Sequence, residues 1–135
     1  MRMSIQTVSR GLVYASLGMQ VLLCVPAVNA QPVPPQLYNI YPQLNRDDLD
    51  RMQAAAARLY EGRSIGTVER WRNPDSGDAG SVELLESTEV RGVPCRRMEY
   101  TVRLESRNQQ LTRYVLNWCQ TAPGEWKIVE QARRG

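Results

Sequence analysis

Apolar positions fall along this chain in three regimes. From Gly11 to Val25 they are almost continuous, GLVYASLGMQVLLCV, behind the positive Arg2 and Arg10. Pro26 interrupts the run, and Val28-Asn29-Ala30 precedes Gln31 with small residues at the positions a signal peptidase reads. Residues 1–30 therefore read as a secretory signal peptide cut after Ala30. The run is shorter than the roughly 20 residues of a membrane span. The bulky Leu22-Leu23 before Cys24 does not suit a lipid-acceptor cysteine.

The next stretch, QPVPPQLYNIYPQL over residues 31–44, has four prolines and no charge. It reads as an extended, partly polyproline II linker. Leu37, Tyr38, Ile40 and Tyr41 are more apolar than a spacer needs, so they either pack back on the domain or form a sticky arm. A helical period begins at Asn45, a good N-cap, with Asp47, Asp48 and Asp50 at the positive end of the helix dipole. Ala54 to Ala57 favour the helix intrinsically. Leu49, Met52, Ala56 and Leu59 make one apolar stripe, and Gly62 stands where a helix stops.

Beyond Gly62 the period shortens to two. Five strands are expected, at 65–71, 81–90, 95–105, 111–120 and 125–131, separated by NPDSGDAG, RGVP, SRNQ and TAPG. Short loops between consecutive strands imply an antiparallel meander. Its apolar face needs cover, and the helix is the element available. The expected fold is α+β: one N-terminal helix packed on a four- to five-stranded antiparallel meander sheet, over residues 45–135.

The third and fourth strands fix their own register. Met98, Tyr100, Val102 and Leu104 share one face, as do Tyr114, Leu116 and Trp118; Cys95 and Cys119 lie on the other. Setting Cys95 opposite Cys119 puts Met98 against Leu116, Tyr100 against Tyr114 and Val102 against Thr112. The turn then falls at Ser106-Arg107-Asn108. Facing Cα atoms in such a pair are about 4.5–5.5 Å apart, within reach of a disulfide. A Cys95–Cys119 bond is predicted, and it suits an exported chain left with two cysteines once Cys24 is removed.

Charge adds little. The chain has 17 basic and 14 acidic residues, and two of the basic ones, Arg2 and Arg10, belong to the leader. The mature part is thus nearly neutral, which gives little reason to expect nucleic acid or anionic lipid as a partner. Arg97, Arg103 and Arg113 share a strand face with Glu99 and Glu105, the mixture of a solvated surface. Lys127, the single lysine, reads as a solvated strand position.

Catalytic chemistry is thinly supplied. There is no histidine, so the usual general base and most zinc sites are missing. Glu83, Glu86 and Glu89 are three apart, a spacing that alternates faces in a regular strand, and no carboxylate pair points to a glycosidase. No phosphate-loop motif occurs. Around Gly77, Asp75, Ser76 and Asp78 lack the ligand spacing of a calcium loop. No enzyme, cofactor or metal is expected, and WRNPDSGDAGSV reads as the bend between the first two strands.

Several motifs in order resemble the C-terminal domain of the rickettsial 17-kilodalton surface antigen family. They are Trp71, Asn73, Pro74, Gly77 and Gly80 in one stretch, Cys95 with Arg96, then Cys119, then Gly124 and Trp126. The likeness spans about residues 66–130. It implies a non-catalytic cell-envelope protein of Gram-negative bacteria, periplasmic or peripherally attached to the outer membrane. Its function would be structural or protein-interacting, with an unidentified envelope component as partner. Many relatives carry a lipid-acceptor cysteine and a glycine-zipper segment; this chain has neither, which favours a soluble or loosely attached form. The alternative is a small-ligand-binding or enzyme-inhibitor module, marked by a cavity between the alanine-rich helix and Tyr100, Tyr114 and Trp118.

Overall fold

The structure, a computed structural model, describes residues 31–132. The proposed leader, with Cys24 and the cleavage point after Ala30, lies outside them. The described elements are α1 (Pro35–Ile40), α2 (Arg46–Ala57), β1 (Val68–Arg72), β2 (Ala79–Val90), β3 (Val93–Leu104), β4 (Gln110–Ala122) and β5 (Glu125–Ala132). The five strands form one antiparallel sheet in the order β1-β2-β3-β4-β5, a meander as the turn spacing predicted. Among the described residues no helix is long and apolar enough to cross a membrane.

Helix α2 starts as its sequence dictates. The Asn45 side chain accepts a hydrogen bond from the Asp48 amide, and the Asp48 carboxylate accepts one from the Asn45 amide, each at 2.9 Å. This reciprocal box satisfies two of the donors that a helix N-terminus leaves free. Leu49, Met52, Ala56 and Leu59 are all fully buried, and α2 lies beside β1 and β2. The helix ends at Ala57, well before Gly62. The chain keeps turning as far as Tyr60, whose ring and carbonyl are both taken up by the sheet.

Residues 31–44 differ from the extended reading. Pro35 occupies the first turn of α1, where a proline costs no hydrogen bond, and the next proline is Pro42. The six residues between Pro34 and Tyr41 are therefore free to coil. Leu37 and Tyr41, four apart, then share a face and are buried with Leu44 in the main core. Tyr41 meets Tyr114 edge-on at 5.1 Å between ring centres. Strand β1 also starts later than the pattern suggests. Gly66 has φ +86 and Ile65 is exposed, so the extended run begins at Val68.

The β3–β4 register is the predicted one. Cys95 faces Cys119, Met98 faces Leu116, Tyr100 faces Tyr114 and Val102 faces Thr112. The two cysteines are joined in a disulfide, with their Cα atoms 4.1 Å apart. A disulfide-bonded domain is compatible with export to an oxidising compartment. Strand β2 carries a surprise: a bulge between Leu84 and Glu86. Glu83 then pairs with Glu99 and Glu86 with Arg97, so Glu83 and Glu86 share a face. The alternation expected for the three glutamates fails there because the extra residue shifts the period by one.

The core contains phenols as well as hydrocarbon. Tyr41, Tyr60 and Tyr100 are buried, and burial pushes all three hydroxyls well above the usual phenol range. Tyr114 adds to the effect at Tyr41, and Tyr60 and Tyr41 add to it at Tyr100; the Gln53 hydrogen bond opposes it at Tyr60. A raised folded pKa means the fold favours the protonated form. This stabilisation is complete below the unfolded phenol pKa of about 10 and is lost as pH rises beyond it. Three such groups together cost about 2.5 kcal/mol at pH ~10.5. Urea midpoints should therefore fall steeply between about pH 9 and pH 10.5. A flat profile would show that the three phenols ionise without resistance from the fold.

Candidate functional site

Two sets of motif residues gather at opposite ends of α2. At its N-terminus the Asp48 carboxylate, 1% exposed, accepts a hydrogen bond from Asn73 Nδ2 and another from Ser76 Oγ, each at 2.7 Å. Asn73 Oδ1 accepts from the Asp75 amide, and Ser76 Oγ accepts from the Asp78 amide. Asp78 Oδ1 accepts from the Glu105 amide at 2.8 Å, tying the loop to the end of β3. The loop's oxygens thus hold its own backbone, the helix cap and the neighbouring hairpin. Among the described residues no three His, Cys, Asp or Glu side chains stand close enough together to hold a metal ion.

Trp71 and Gly80 complete this end. They face each other across β1 and β2, and Trp71 is 6% exposed. A Cβ on Gly80 would stand 2.2 Å from the Thr101 carbonyl oxygen and 2.8 Å from Trp71 Nε1. Only glycine leaves room for the indole to cross β2. Pro74 is exposed in the loop, and Gly77 has φ +78, with Glu105 against it.

At the other end of α2, Arg96 Nε donates to the Tyr60 carbonyl at 2.8 Å, and the guanidinium lies 5.3 Å from the centre of the Trp126 ring. Trp126 stacks on Tyr60 at 4.6 Å, and Gln53 Nε2 donates to the Tyr60 hydroxyl. Gln31 donates its side-chain amide to the Trp126 carbonyl and accepts from the Trp126 amide. Gly124 sits in the β4–β5 turn beside this cluster. The sequence singled out Arg96 and Trp126; it gave no sign that Tyr60, Gln53 and Gln31 would join them.

Ala55 and Ala56 of the helix and Tyr100 and Trp118 of the sheet are completely buried, and Tyr114 is partly buried against the same core. The concavity lies on the opposite, open face of the sheet: a depression of about 440 Å³ lined by residues of β1 to β4. Strand pairing sets it out in two rows. One runs Arg70-Ser81-Thr101-Arg113, the other Arg72-Ala79-Arg103-Leu111. Arg70, Arg72 and Arg103 are exposed and make no ion pair among the described residues. The next row brings Glu83 against Glu99, and Glu99 is held by Arg113 at 3.5 Å.

The ion pair of Arg113 with Glu99 keeps the mixture of charges that the sequence showed on this face. The register adds two arginines of β1, Arg70 and Arg72, on the side of β2 away from Arg103. Those two escaped notice because nothing in the alternation of β1 says which residues of β3 it will approach. Comparison of the chain with protein-family models, with curated proteins and with solved structures finds no match.

Proposed function

We propose that this chain is a non-catalytic binding module of the bacterial cell envelope, exported to the periplasm, whose working surface is the open face of the sheet. The observation that carries the reading is the arginine-lined depression on that face. Side chains that serve the fold are buried, whereas Arg70, Arg72 and Arg103 are exposed around a concave floor and do nothing for the core. Kinship with the rickettsial 17-kilodalton surface antigen family is part of the same proposal. Its motif residues read as two clamps on the ends of α2, a structural role that suits a scaffold. Three features support export: the apolar leader, the two cysteines left after its removal, and the disulfide between them.

The alternative places a ligand between α2 and the aromatic sheet residues, beside the buried Tyr100 and Trp118. A ligand on the open face stays within the proposal. The test is site-specific photocrosslinking in the native host, with the reactive group at Thr101 in the depression or at the exposed Val90, at the other end of β2. Adducts in the envelope fraction from Thr101 but not from Val90 are expected. Recovery solely as an unmodified soluble protein from both positions would overturn the reading.

A further inference from the structure

The depression has a chemistry more specific than "positive". Strands β1 and β3 flank β2 and lie about 10 Å apart, twice the ordinary strand spacing. Between them the floor carries only the short side chains of Ala79 and Ser81, with Thr101 alongside on β3. Arg70 and Arg72 rise on one side of this floor and Arg103 on the other. Long cationic side chains around a floor of small ones make a trough whose walls carry one sign of charge. Nothing acidic lines it. Acidic groups stand one step away on either side: Glu83 and Glu99, with Glu99 held by Arg113, and Glu105, two residues beyond Arg103, which accepts a hydrogen bond from Gln109.

Three like charges around one concavity repel one another, and an anion in the middle relieves that repulsion. A single carboxylate brings one charge and two oxygens. A phosphomonoester brings nearly two charges and three terminal oxygens, and the guanidinium fork matches it bidentately. The Ser81 and Thr101 hydroxyls on the floor supply further donors. Leu111, half-exposed at the rim, offers apolar contact to whatever carries the phosphate. A volume of about 440 Å³ is of the order of small-ligand pockets. The adjacent glutamates would repel an anion placed one row further on, and so fix which end of a ligand sits over the arginines.

We propose that this trough binds a phosphorylated small ligand, or a phosphorylated headgroup of the same chemistry, with Arg70, Arg72 and Arg103 holding the phosphate. The inference rests on the reading that the open face is the binding face. The experiment is calorimetric titration of the purified, oxidised protein with inorganic pyrophosphate and with glycerol 3-phosphate at low salt. In parallel, flotation is run with phosphatidylcholine vesicles containing or lacking phosphatidic acid.

Saturable binding in solution assigns a soluble ligand; binding to phosphatidic acid vesicles alone assigns a headgroup; either supports the proposal. Arg72→Gln and Arg103→Gln should each weaken binding about tenfold, and the pair about 100-fold, because each removes a charge-assisted contact. Arg97→Gln, on the same face but outside the trough, should leave it unchanged. Absence of binding in both arms, equal loss with Arg97→Gln, or preference for a glutamate-rich peptide over every phosphate would overturn the proposal. If phosphate binding fails while Thr101 still crosslinks, the phosphate assignment falls and the binding-face reading stands; if both fail, both fall.

Discussion

Replacing Asp48 by alanine is expected to destabilise the domain by about 4 kcal/mol, a loss near 20 °C in melting temperature. Three donors converge on this carboxylate: the Asn45 amide, Asn73 Nδ2 and Ser76 Oγ. Asn73 is fully buried, so its amide would be left without a partner and without water. Each buried donor orphaned in this way costs about 1–3 kcal/mol. Asp48→Asn gives an internal control. It keeps one oxygen for Asn73 and Ser76 but turns an amide towards the Asn45 N–H, so it should lose only the cap, about 1–2 kcal/mol. Asn45→Ala should cost about 1 kcal/mol. Urea unfolding of the three variants decides the matter. If Asp48→Ala is no worse than Asn45→Ala, the loop bonds contribute nothing beyond the cap.

That experiment bears on the binding face as well. The loop latched by Asp48 joins Arg72 to Ala79, and both line the trough. Asn73 also accepts in its backbone turn from Gly77, and its amide donates to the Asp78 carbonyl, so the loop is closed on itself before it meets the helix. The stretch of turn residues thus sets where the second strand begins relative to the first. By setting the β1–β2 register it decides that Arg70 faces Ser81 and Arg72 faces Ala79.

What could be read from the sequence follows the range of the interactions. The helix start was legible because Asn45 is a good N-cap and the aspartates that follow it suit the helix dipole, both local signals. The β3–β4 register was legible because the cysteines and the alternating aromatics agree on one alignment. The partnership of Asp48 with Asn73 spans 25 residues, and an aspartate in a first turn already has an adequate local explanation in the helix dipole. Likewise the β2 bulge at Leu85 leaves no mark in a run of alternating residues, yet it moves Glu86 to the other face. The helix at Pro35–Ile40 was hidden by its prolines, because their number suggested extension while their placement allowed a turn. The trough depends on the register of β1, which no local pattern fixes.

The disulfide supplies the other large expected effect. Converting both cysteines to alanine should lower stability by about 3.5 kcal/mol, since the bond closes a loop of about 25 residues in the unfolded chain. The melting temperature should fall by about 15–25 °C. The native register should persist, because Met98–Leu116, Tyr100–Tyr114 and the other core pairs of the hairpin hold it without the bond. The trough lies at the opposite end of that hairpin, over Thr101 and Arg103, so whatever it binds should be bound equally well by the Cys95→Ala/Cys119→Ala protein at a temperature where it is folded. Two measurements check this: melting with and without a thiol reductant, and the pyrophosphate titration repeated on the variant. Wild-type protein should lose stability in reductant and the variant should not. A melting temperature insensitive to reductant in both would mean the crosslink adds nothing. Loss of binding in a folded variant would mean the hairpin needs its bond to hold the arginines of the open face in place.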